Sequence, residues 1–120
     1  MQRFIVADTS DVVRKVAKRI LTELGFVVAE AGDAHEAMAN CQAILPEFMI
    51  IDAGIESSLE LIAAIRAMPN GQSVKIYYCV IELELKKLMA GKRAGATDFL
   101  QKPFDRRVLT NVFGNQVAIA

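Results

Sequence analysis

The chain has 120 residues, 53% of them hydrophobic, and 14 basic against 14 acidic side chains give a formal net charge of +0. That is the size of one domain, able to bury a core and lacking the global positive field that nucleic-acid binding draws on. A mean hydropathy of +0.31 excludes a disordered chain. Asp8 and Asp11 interrupt the first apolar run and the other runs are too short to span a bilayer, so the sequence predicts no signal peptide, no membrane segment and a cytoplasmic location.

Short β-rich runs alternate with longer segments of helical period, five of each, which is the pattern of a parallel sheet with crossover helices. Residues 3–7 form the first strand, and Thr9 or Ser10 caps a helix to about Leu24, with Val13, Val16, Ala17, Ile20 and Leu24 inward and Gly25 as its stop. The second strand covers 26–29 and the second helix about 34–45, with Ala37, Met38, Cys41 and Ile44 inward, until Pro46 breaks the chain. Residues 48–51 are apolar throughout, as a central strand covered on both faces should be, and they deliver Asp52 at their carboxyl end. A third helix over 58–68 ends at Pro69-Asn70-Gly71, and the fourth strand spans 74–80. A fourth helix runs over 83–94 to Gly95, the fifth strand over 97–101 leads into Lys102-Pro103, and the last helix covers 106–115.

Cys41 and Cys79 lack paired spacing and read as buried reduced thiols. The clusters Lys15, Lys18, Arg19 and Lys86, Lys87, Lys92, Arg93 read as solvated helix faces.

In an open parallel sheet the working groups gather beyond the carboxyl ends of the strands. That rule selects Asp8, Asp52, Val80 and Lys102. Any one of these charges alone would be an ordinary loop residue, but two acids and a lysine on one rim are a chemical set. Oxygen-only ligands suit a hard cation such as Mg2+, a lysine offsets charge on an incoming phosphoryl group, and an ionised carboxylate is the nucleophile such transfer needs. Asp52 is the better nucleophile candidate because the central strand holds it rigidly, whereas Asp8 precedes a helix start that favours an anion anyway.

The stretches RFIVADTSDVVRKVAKRIL, FMIIDAG and AGATDFLQKPF resemble the opening, the phosphoacceptor strand and the final strand of CheY-like response-regulator receiver domains. The resemblance covers essentially the whole chain and implies one receiver domain over 1–120, a doubly wound α/β fold with flavodoxin-like strand order 2-1-3-4-5 and helices on both faces. By the same resemblance Asp52 is the phosphoacceptor and Lys102 contacts the phosphoryl group. Mg2+ is held by Asp8, Asp52 and the Gly54 backbone, Phe99 is the switch aromatic, and the Lys102-Pro103 bond is cis. The sequence also departs from the family. Thr9 stands where a second acid is usual, which predicts weak Mg2+ binding. Val80 stands where a hydroxyl couples the phosphoryl group to the aromatic, which predicts a weakened or uncoupled switch. Strand alternation points Cys79 away from Val80, so its thiol is no substitute. DAGIESSLEL lacks the family's Met-Pro and Asp-Gly and is about two residues shorter, which reshapes the rim.

These features imply a stand-alone receiver, not an enzyme in its own right, that takes a phosphoryl group from a histidine kinase or phosphotransfer protein. It would act on a downstream protein through the face of helix four, strand five and helix five, where Leu83, Leu85 and Lys87 lie, without nucleic acid or membrane. The alternative is a pseudo-receiver that signals by binding, without phosphorylation or Mg2+. A flavodoxin-like enzyme or nucleotide binder lacks support, because no glycine-rich phosphate loop of the required kind is present.

Overall fold

The computed structural model describes residues 1–116. The five apolar runs become strands β1 (Arg3–Ala7), β2 (Val27–Ala31), β3 (Phe48–Asp52), β4 (Lys75–Val80) and β5 (Asp98–Gln101) of one parallel sheet in the order β2-β1-β3-β4-β5. The crossovers are helices α1 (Asp11–Glu23), α2 (Ala34–Ala43), α3 (Ser58–Ala67) and α4 (Leu85–Ala94), and α5 (Arg106–Phe113) closes the described chain. A short 3-10 turn over Gly71–Ser73 precedes β4. No described helix is long and apolar enough to cross a membrane.

Strand residues point alternately to the two faces, so each strand feeds two cores. Phe4, Val6, Phe48, Ile50, Tyr77 and Cys79 meet Ala17, Ile20 and Leu21 of α1 and Leu109 and Phe113 of α5. Ile5, Ala7, Met49, Ile51, Tyr78 and Val80 meet α2 and α3, with Leu88 and Ala94 of α4 at the margin. The first core is aromatic: the Phe113 ring lies 4.9 Å from Phe4 and 4.8 Å from Tyr77, both edge-on. Cys41 and Cys79 are buried free thiols, one in each core.

Several expected boundaries shift. Ser10, rather than Thr9, caps α1 by accepting from the Val13 N–H. Val16, expected inward, is 49% exposed, because the buried stripe is Ala17, Ile20 and Leu21 and Val16 lies on its flank. Helix α2 stops at Ala43 rather than Leu45, so Ile44 turns into extended backbone and is 53% exposed instead of buried. Helix α4 starts at Leu85, not Leu83, and α5 ends at Phe113. The second strand begins one residue later than expected and runs on through Glu30 to Ala31, since Glu30 is held by Arg14 and Lys15 of α1.

Candidate functional site

Parallel strands of matched length end at one rim, and that rim gathers Asp8, Asp52 and Lys102. Asp8 follows β1. Its amide donates to the Ala31 carbonyl at 3.0 Å, its carboxylate accepts from the Ser10 amide at 2.8 Å, and its carbonyl accepts from Arg14 Nη1 at 2.6 Å. Arg14 also pairs with Asp11 and with Glu30, so α1 and β2 together fix the turn that presents Asp8. Asp52 is the last residue of β3, and its Oδ2 accepts from the Gly54 amide at 3.1 Å. Lys102 is aligned by its amide, which donates at 2.8 Å to the carbonyl of Val80, the last residue of β4, and a cis Lys102-Pro103 bond follows it.

The lysine ammonium closes the set. Nζ donates to Asp8 Oδ2 at 2.8 Å and to Asp52 Oδ1 at 3.3 Å, across 94 and 50 residues of sequence. Asp8 is 2% and Asp52 7% exposed, so these charges interact with little screening by water. Burial, and then the charge of Asp8, push the Asp52 carboxyl above the usual carboxylate range, and Lys102 only partly offsets them. Burial works against the charged Lys102, but its hydrogen bond to Asp8 and the charge of Asp52 outweigh this and hold the ammonium above its ordinary pKa. Two carboxylates share one ammonium, which leaves a negative site.

Oxygen donors with an unbalanced negative charge fit a hard divalent cation. Asp8, Asp52 and the Gly54 backbone are the residues available to hold it. No group of three or more acidic, His or Cys side chains suited to a metal occurs among the described residues, so the side-chain donor set is small. Thr9 is exposed at the edge of the rim.

Val80 is fully buried on the face shared with α3, and Phe99 is half-buried beside the same core. Cys79 faces the opposite core, in register with Asp52, and burial, then the charge of Asp52, push its thiol up to about 12. Three polar residues escaped the sequence reading: Arg14 behind Asp8, and the hydroxyls of Ser58 and Tyr78, which lie 3.0 Å apart in the interior. Beside Lys102 an apolar groove of about 450 Å³ opens between Val12 and Val16 of α1, Ile81, Pro103 and Phe104.

The chain is similar to known proteins in sequence and in fold. The family described as the response regulator receiver domain matches residues 4–113. The transcriptional regulatory protein PrrA of Mycobacterium leprae is 34% identical over 104 residues, which cover 83% of this chain but only 42% of that relative. The chain thus spans less than half the length of this relative. The chemotaxis response regulator CheY4 of Vibrio cholerae superimposes with a TM-score of 0.90 at 26% identity, covering 98% of this chain and 99% of that one. A response regulator from Thermotoga maritima gives 0.84 at 25% identity, with 96% of each chain covered.

Proposed function

The chain belongs to the response regulator receiver family of two-component signalling, and from that premise we propose that Asp52 accepts a phosphoryl group and that the domain signals through protein contacts. The observation that carries this reading is the Lys102 ammonium held between Asp8 and Asp52 at the carboxyl rim of the sheet. Phosphoryl transfer requires positioning and charge neutralisation more than covalent help from the protein. Asp52 ends the buried central strand, its Oδ2 is oriented by the Gly54 amide, and Lys102 stands ready to balance the incoming oxygens. Bound Mg2+ would supply the remaining neutralisation of phosphoryl charge, held by Asp8, Asp52 and the Gly54 carbonyl, and Thr9 in place of an acid makes that binding weak.

The donor is a histidine kinase or a phosphotransfer protein. The groove beside Lys102 supports docking next to the acceptor, because Val12 and Ile81 on its walls are 73% and 70% exposed and would be covered by an apolar partner surface. The output partner binds the side of the molecule formed by α4, β5 and α5, where Leu83, Leu85 and Met89 are exposed. We assign the whole of 1–120 to this single receiver unit.

Incubation with a small phosphodonor and Mg2+, followed by intact-mass measurement, tests the assignment. The wild-type chain is expected to gain one phosphoryl group and Asp52→Asn none. Phosphorylation of the Asp52→Asn variant at the wild-type rate would reassign the acceptor, and no gain by either would favour signalling by binding alone.

A further inference from the structure

We propose that Tyr78, acting through Ser58, is a positioning residue for the loop after Asp52 and links that loop to α4, in place of the hydroxyl that Val80 lacks. The inference rests on the reading of Asp52 as acceptor and adds to it the route by which acceptor and helix sense one another.

Proton counting sets the direction of the link. Ser58 Oγ lies 3.4 Å from the Ala53 carbonyl oxygen and 3.0 Å from the Tyr78 hydroxyl. A carbonyl only accepts, so the single Ser58 proton is directed at Ala53, and Tyr78 must donate its own to Ser58. Both residues are buried, so no water replaces a broken bond, and parting them leaves an unsatisfied hydroxyl in the interior.

The chain of donors ends on the peptide group between Ala53 and Gly54, and that group is planar. Its oxygen is held by Ser58 and its N–H donates to Asp52 Oδ2 at 3.1 Å. Rotating one side of a rigid plane rotates the other. Phosphorylation of Asp52 breaks the donor's bond to phosphorus and joins a carboxylate oxygen to it as an acyl phosphate, which moves the negative charge from the carboxyl group that this N–H faces onto the phosphoryl oxygens. The plane therefore meets a different acceptor after phosphorylation, and Ser58 and Tyr78 lie on its far side.

The other end of the link is a ring packed against helix backbone. Tyr78 and Phe99 are register partners on β4 and β5. A Cβ at Gly91 of α4 would lie 2.7 Å from Tyr78 Cδ2 and 3.0 Å from Phe99 Cε1. Only glycine lets α4 rest on both rings, so a displacement of Tyr78 is felt by the helix backbone without an intervening side chain. The same helix carries the exposed Leu85 and Met89.

Two NMR experiments on the whole chain test the link from its two ends. Beryllofluoride with Mg2+ engages Asp52; the Gly91 amide is expected to shift in the wild type. In Tyr78→Phe and Ser58→Ala that shift should fall about threefold or more, the ordinary scale of coupling between contacting residues, while the Gly54 amide still reports saturation of Asp52. Gly91→Ala, with no ligand present, pushes on Tyr78 from above; the Ala53 and Gly54 amides should shift, and should not do so in the Tyr78→Phe background. A response of the loop to Gly91→Ala that is equal in both backgrounds overturns the proposal. If beryllofluoride fails to bind, the acceptor reading falls, and the Gly91→Ala comparison still decides the link. Tyr78→Phe keeps the ring and its packing, so a loss of response reports the hydroxyl and not a collapsed core.

Discussion

Asp52 is ionised at a cost to the fold. Its pKa is raised by burial and by Asp8, so the folded state binds its proton more readily than the unfolded chain does. Stability from this group therefore falls as pH rises from the ordinary carboxylate range through the folded pKa, the reverse of a carboxylate with a depressed pKa. Asp52→Asn should raise the melting temperature at neutral pH by a few degrees and flatten the fall in stability that sets in above the ordinary carboxylate range; thermal melts at a series of pH values check both. Lys102 has the opposite sense: its raised pKa contributes stability that is complete below the ordinary lysine value and is lost as pH rises through the folded one. Thr9→Asp adds a carboxylate to a rim that is already negative, so it should tighten Mg2+ by about tenfold or more, as added ligand charge does. The same change should lower stability without the ion, and paired calorimetric titrations and melts measure both effects. Asp8, Asp52 and Lys102 were legible from sequence because the end of a strand is a position that periodicity can find. Ser58 and Tyr78 were not, since a bond between hydroxyls twenty residues apart depends on where a helix start sits over a strand.

The loop between β3 and α3 is where the chain departs from ordinary local preference. Ser57, at the N-cap of α3, has φ 65, in the left-handed region, and its side chain makes no capping bond. An L-residue there costs roughly 1–2 kcal/mol, which glycine avoids, and glycine returns about 0.5–1 kcal/mol of that through greater freedom in the unfolded chain. Ser57→Gly should therefore stabilise by about 0.5 kcal/mol, while β-branched Ser57→Val should destabilise by about 1–2 kcal/mol. Urea midpoints resolve the two. Elements were more legible than their faces. The apolar stripe of α1 is broader than its buried part because Val12 and Val16 line the groove beside Lys102 instead of the core. The early start expected for α4 had a similar origin, since Leu83 and Leu85 are both exposed and their spacing reports no core.

At the scale of the whole molecule the parallel sheet was readable because strands alternate with helices, whereas its order β2-β1-β3-β4-β5 was legible only through the resemblance to receiver domains. The division of its two cores was not, for buried strands are apolar on both sides. The face covered by α1 and α5 carries the ring cluster of Phe4, Phe26, Phe48, Tyr77 and Phe113, away from Tyr78 and Val80. Phe113→Ala should cost about 3–5 kcal/mol, a large part of the roughly 5–15 kcal/mol typical of a domain, and should do so equally with or without a phosphoryl mimic at Asp52. Paired denaturant melts test that independence. On the other face, the only fully buried residue of α4 is a glycine, and its N-cap, Glu84, makes no side-chain capping bond. A glycine inside a helix weakens it by about 1 kcal/mol relative to alanine. The helix holding the proposed output surface therefore has little free energy of its own, and it should open before its neighbours while the aromatic core stays closed. Amide exchange should find α4 the least protected of the helices, so that a partner able to order it draws on a reserve of local unfolding kept apart from the stability of the fold.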